Sequence, residues 1–252
     1  MVDDLAILER RCELLRSLHI PGDPLVLPNA WDVGSARAVV AAGFPVVATT
    51  SGGVAESLGY EDHEGAPSQE MLAAAARISR AVDVPVTVDA EAGYGLEPNE
   101  LVAALRAAGA SGCNLEDTDH ATETLRETSR HAEWLRAVRA AAAEEGYGLV
   151  INARIDVFLT GSGSVTEAIE RAAAYFEAGV DCVYPIVLAE RDELATFVSR
   201  AGGPVNILAL PHAPAVDELA ALGVARVSWG GLLYRQTIAR FEREVAALLR
   251  SP

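Results

Sequence analysis

Three carboxylates stand where their spacing could assemble a metal site. In VTVDAEAGYG (86–95) an apolar run ends in Asp89 and Glu91, and CNLED (113–117) ends a second apolar run in Glu116. Alternate residues of a strand point the same way, so Asp89 and Glu91 are expected to converge. A neighbouring strand would bring Glu116 within about 5 Å laterally. Three clustered carboxylates repel one another unless one is protonated or a cation sits among them. Oxygen-only ligands favour a hard ion such as Mg²⁺, with Mn²⁺ the alternative. The competing reading is structural: these acids cap helices or pair with arginines.

Other residues extend the candidate site. Ser51, Gly52 and Gly53 in TTSGG form a glycine-rich turn whose N–H groups could wrap a carboxylate, although an ordinary turn looks the same. Arg154 in INARIDVFL presents a planar fork, suited either to a substrate carboxylate or to an ion pair with Asp156 or Glu116. Asp32 before GSAR reads equally as a helix cap or a ligand. His63, His120, His131 and His212 fall in loops or near helix ends and lack paired ligand spacing. Cys113 and Cys182 lie inside apolar runs, where inert buried thiols are expected.

The elements that must position these residues repeat one pattern. In AAGFPVVATT, RAAGASGCNL, FEAGVDCVYP and AALGVARVSW, an alanine-rich helical stretch stops at Gly43, Gly109, Gly179 or Gly223, and a short apolar run follows. Strands are expected at 25–28, 46–50, 86–90, 113–116, 149–153, 181–184, 205–208 and 226–229. Helices are expected at 35–42, 68–81, 98–108, 129–145, 165–178, 190–200, 214–222 and 231–249, with an extra N-terminal helix near 4–18. Eight such units predict an α/β protein, a (β/α)8 TIM barrel, with an open doubly wound sheet as the competitor. No linker divides residues 1–252, so one domain is expected, with 117–130 a candidate lid loop. The polar residues gather at strand C-termini, where both folds carry function.

Composition limits the partners. The formal net charge of −16 disfavours nucleic acid. No apolar run is long enough to span a bilayer, so no membrane partner is expected. Three cysteines without CxxC spacing, and an N-terminus unlike a signal peptide, read as a cytoplasmic protein.

Taken together, LPNAWDVGSARAVVAAGFPVVATTSGGVAESLGYED, VTVDAEAGYG, CNLED and INARIDVFL resemble, in order and spacing, the isocitrate lyase/phosphoenolpyruvate mutase superfamily, and most closely its short mutase-like members. The resemblance implies a (β/α)8 barrel that binds Mg²⁺ and a 2-oxo or 2-hydroxy acid and works through an enolate-like intermediate. It places Asp89, Glu91 and Glu116 in the metal shell, mostly through water, and Asp62 near metal and substrate. Ser51, Gly52 and Gly53 match the loop that grips the substrate carboxylate. Arg154 matches the arginine at the substrate's far end, and Asn206 survives from the strand-7 motif. A homo-oligomer, dimer or tetramer, is also implied.

Departures from the family guide the choice of reaction. The lyases' Lys-x-Cys-Gly-His lid and the mutases' Lys-Thr-Asn-Ser lid are both absent; DTDHATETLRETSR stands there. Loss of CO₂ needs no general base, whereas retro-aldol cleavage does. The expected function is therefore a Mg²⁺-dependent carbon–carbon lyase or decarboxylase acting on a small, oxaloacetate-like dicarboxylate. A 2-alkylmalate or methylisocitrate-type lyase is the alternative, with Tyr60, His120 or Tyr184 as base. A P–C bond enzyme and a non-catalytic metabolite-binding barrel are further alternatives.

Overall fold

Gly43, Gly109, Gly179 and Gly223 each follow a helix with φ of 94°, 74°, 95° and 90°. Such angles strain any residue with a Cβ, so glycine ends each helix and redirects the chain into a strand. The computed structural model describes residues 2–159 and 163–249. Their elements in chain order are α1 (Val2–Ser17), β1 (Leu25–Leu27), β2 (Asn29–Ala30), α2 (Val33–Ala41), β3 (Val47–Thr49), α3 (Ser51–Leu58), α4 (Ser68–Arg80), β4 (Val86–Asp89), α5 (Pro98–Ala107), β5 (Gly112–Glu116), β6 (Thr118–Asp119), β7 (Thr124–Leu125), α6 (Thr128–Glu144), β8 (Val150–Ile155), α7 (Val165–Glu177), β9 (Cys182–Pro185), α8 (Arg191–Arg200), β10 (Asn206–Leu208), α9 (Val216–Ala221), β11 (Arg226–Ser228) and α10 (Leu232–Leu248).

The sheet closes on itself. Parallel neighbours run β2-β3-β4-β5-β8-β9, and a second set runs β1-β11-β10. Pro28 has no N–H, which separates β1 from β2 within one strand position. A parallel bridge between Val183 and Val205 joins the β9 edge to the β10 edge. Eight strand positions thus form a (β/α)8 barrel rather than an open sheet. Asn29 fastens the seam: its Nδ2 donates to the Thr49 carbonyl at 2.7 Å, and its Oδ1 accepts from the amides of Trp229 and Gly230 at 2.8 and 2.9 Å. Apolar layers lie between barrel and helices, as where Ile78 of α4 and Leu101 and Leu105 of α5 pack against Val86 and Val88.

Three local features differ from the sequence expectations. TTSGG is not a turn: Ser51, Gly52 and Gly53 open helix α3, whose Val54 and Ala55 are buried with Met71 and Ala74 of α4. That burial outweighs the weak helix propensity of two glycines, about 1 kcal/mol each. The 117–130 segment holds the antiparallel β6–β7 hairpin, whose turn is shaped by Asp119 Oδ1 accepting from the amides of Ala121 and Thr122. Finally, β4 stops at Asp89, so the alternation argument for Glu91 does not hold.

Candidate active site

Asp89 ends β4 at the C-terminal mouth of the barrel and faces a cavity of about 210 Å³. Its Oδ2 accepts from the Ser51 amide at 3.1 Å, while its own amide is bound by Thr49 Oγ1 at 2.9 Å. Its Oδ1 is buried without a partner among the described residues. Asp62, on the loop between α3 and α4, lines the same cavity and likewise keeps a buried, unpartnered Oδ1. Gly52 makes this possible: a Cβ there would sit 2.7 Å from Asp62 Oδ2. The N–H groups of the first turn of a helix have no partner within it. Ser51 directs its own to Asp89, which leaves that of Gly52, beside the same cavity, for an anion; Gly53 packs against Thr50, Trp31 and Tyr234 and does not line the cavity.

Glu91 is buried and does not line the cavity. It adopts φ 49°, and its Oε1 accepts from the Glu64 amide at 2.6 Å. Glu64 in turn binds the Tyr94 amide at 2.5 Å, so the two loops clamp each other. Burial pushes the Glu91 carboxyl up to about 8, against the Glu64 hydrogen bond and with help from Asp89, Asp62 and Glu116. Glu116 ends β5 and is buried between His120 and Arg154. Burial alone lowers the His120 pKa, but the adjoining Glu116 carboxylate outweighs it and raises the imidazole.

Arg154 is an ion-paired residue in this state. Its Nε and one terminal nitrogen hold Asp156 at 2.6 and 2.8 Å, and that nitrogen also meets Glu116 at 2.5 Å. Both structural partners anticipated for it are therefore engaged. Arg154 still lines the 210 Å³ cavity and an adjoining outer one of about 710 Å³, shared with His120 and the hairpin. Asp117, behind the hairpin, is structural: it accepts from Tyr175 at 2.7 Å, Arg171 at 3.0 Å and the Asp156 amide at 2.9 Å.

Other anticipated residues lie elsewhere. Tyr60 lines neither cavity, and its hydroxyl donates to Glu70 at 2.7 Å because α3 carries it onto α4. Asn206 is buried below the cavity and exchanges hydrogen bonds with Ser228. Ser228, rather than Asn206, lines the cavity. Asp32 is a helix cap, accepting from the Ser35 amide at 2.7 Å. His131 is buried in α6 beside Trp134 and Tyr175. Cys113 and Cys182 are buried, and burial pushes both thiols up to about 12. Asn114, Tyr184, Trp229 and Arg235 also line the cavity. Asn114 is missing from the sequence candidates because an Asn within an apolar strand looks like core.

Among the described residues, no three His, Cys, Asp or Glu side chains converge tightly enough to hold a metal ion directly. Asp89, Glu91 and Glu116 therefore form no direct three-acid cluster, and of the three only Asp89 lines the cavity. Two orphaned buried carboxylate oxygens, on Asp89 and Asp62, still fit a hard cation that keeps most of its waters.

The family description of phosphoenolpyruvate phosphomutases matches residues 15–249. The chain belongs to that family. It is thus a member of the phosphoenolpyruvate mutase/isocitrate lyase superfamily of carbon–carbon lyases and mutases, whose members are generally Mg²⁺-dependent. A phosphoenolpyruvate phosphomutase of Streptomyces hygroscopicus is 32% identical over 247 residues, covering 93% of this chain and 78% of the relative. An uncharacterized protein of Mycobacterium tuberculosis is 37% identical over 218 residues, covering 86% of this chain and 81% of the relative. An oxaloacetate acetylhydrolase solved with its product oxalate superposes with a TM-score of 0.85 at 25% identity, covering 96% of this chain and 87% of that one. No helix among the described residues is long and apolar enough to cross a membrane.

Proposed function

We propose that this family member is a Mg²⁺-dependent carbon–carbon lyase that decarboxylates a small 2-oxo dicarboxylate of the oxaloacetate type. The observation that carries the reading is the pair of buried, unpartnered carboxylate oxygens, Asp89 Oδ1 and Asp62 Oδ1, facing a small cavity beside the α3 amides. Uncompensated buried carboxylates are costly without a counter-charge. Bound there, Mg²⁺ supplies Lewis-acid stabilisation of the negative charge that develops on the 2-oxo group.

The chain's own residues do the rest. The Gly52 amide, at the first turn of α3 beside the cavity, holds the carboxylate next to the oxo carbon. The Arg154 nitrogen that has no partner among the described residues is available to the distal carboxylate and orients it for departure. The bond to that carboxylate breaks, CO₂ leaves, and its electron pair passes into an enolate that then takes a proton at carbon. No residue must remove a proton first.

The candidate bases support this choice over retro-aldol cleavage. Tyr60 is out of reach, and His120 is bound to Glu116. Tyr184 is buried with its pKa raised by desolvation, so its hydroxyl keeps its proton. The oxaloacetate-acting relative with the same fold is consistent with a dicarboxylate of this size. The test is purified protein with Mg²⁺ and oxaloacetate. CO₂ and pyruvate above the metal-only rate support the reading, while acetate and oxalate, or no products, contradict it.

A further inference from the structure

The barrel interior holds a positive charge that this reaction does not use. Arg226 of β11 is 1% exposed, and no carboxylate among the described residues lies within ion-pair distance of it. Its Nε and Nη1 have no hydrogen-bond partner among the described residues, and its Nη2 donates to Asn114 Oδ1 at 3.2 Å. A buried, unpaired guanidinium is among the most costly groups a core can retain.

A guanidinium only donates, so the Asn114 atom facing it must be the oxygen. Asn152 Nδ2 donates to that same oxygen at 2.8 Å. The amide of Asn114 is therefore held in one of its two orientations by a neighbour that has no acceptor. Its NH₂ group lies on the opposite branch, and no group among the described residues accepts from it. Asn114 lines the 210 Å³ cavity with Asp89 and Tyr184. In the flipped orientation its oxygen would add a third partial negative charge to a wall already holding Asp62 and Asp89.

We propose that Asn114 is a substrate-binding residue whose amide donates to an oxygen of the bound carboxylic acid, and that Arg226 and Asn152 are positioning residues that hold the donor outward. The inference rests on the carboxylate-binding function proposed above. It accounts for the retention of Arg226, whose donor-only character sets the direction of a hydrogen bond one residue away.

Asn114→Asp tests it, because the variant is isosteric. It gives Arg226 a counter-charge while replacing the cavity donor with an acceptor. The melting temperature should hold or rise. Calorimetric affinity for oxalate with Mg²⁺ should fall at least about tenfold, the worth of one hydrogen bond to a charged group. In turnover the loss should appear in KM more than in kcat. Arg226→Met should weaken oxalate at least about threefold through a mis-set amide. Arg226→Lys, which is also donor-only, should restore it to within about twofold. Unchanged oxalate affinity in Asn114→Asp, or equal losses in the Met and Lys variants, would overturn the inference while leaving the proposed function standing. Wild-type protein that binds no oxalate with Mg²⁺ would remove both.

Discussion

Glu91 shows how one backbone angle changes a residue's chemistry. Its φ of 49° turns it off the strand and into the loop clamp with Glu64, where burial raises its carboxyl to about 8 from an ordinary 4.5. Between those values the folded state keeps a proton that the unfolded chain has lost. Its contribution to stability is therefore intact below about pH 4.5 and is lost as pH rises through about 8. In chelator, the wild-type melting temperature should fall across that window more steeply than that of Glu91→Gln. Parallel slopes in a pH series of melting curves would refute the assignment. The placement of Asp89, Glu116 and Arg154 at strand ends was readable from sequence because apolar runs deliver them there. The direction of Glu91 was not, since it depends on where β4 stops. Tyr60 was misplaced because its partner, Glu70, comes from a helix packed against α3.

At the scale of elements, helix α3 is what the sequence hides. Two glycines beside a serine look like a turn, and only burial of Val54 and Ala55 against α4 makes them a helix start. The eight strands and the remaining helices were legible, because most apolar runs follow a glycine with its own positive φ; β4, which follows Ala81, is the exception. The closure of the sheet was not, since it rests on a bridge between Val183 and Val205 and on the Asn29 seam. The α3 start also yields a prediction. Gly52→Ala puts a Cβ 2.7 Å from Asp62 Oδ2, the mobile end of a side chain. Stability should change by less than about 1 kcal/mol, because alanine favours the helix. The kcat/KM for the acid should fall at least about tenfold as Asp62 is pushed aside. A large drop in melting temperature, or full activity, would each contradict this account of the glycine.

For the whole molecule, the long helix α10 turns apolar side chains to solvent. On α10, Ile238, Phe241, Val245 and Leu248 recur at helical spacing, and Phe241 and Leu248 are 62% and 73% exposed. The homo-oligomer expected from the family resemblance fits that face. Light scattering should give a multiple of the 26.5 kDa chain, and Phe241→Glu with Leu248→Glu should reduce it with the helical signal kept. A wild-type monomer would contradict the expectation. Whether Asp89 anchors a cation-dependent acid site is read from melting wild-type and Asp89→Asn protein with Mg²⁺, oxalate, both or neither. At about 100 times Kd, both ligands together should stabilise the wild type by about 2.7 kcal/mol, or roughly 5–10 °C. Asp89→Asn should melt no lower than wild type without ligands and gain nothing from the pair. An equal gain in the variant, or a wild-type gain from oxalate that persists in chelator, would contradict that role.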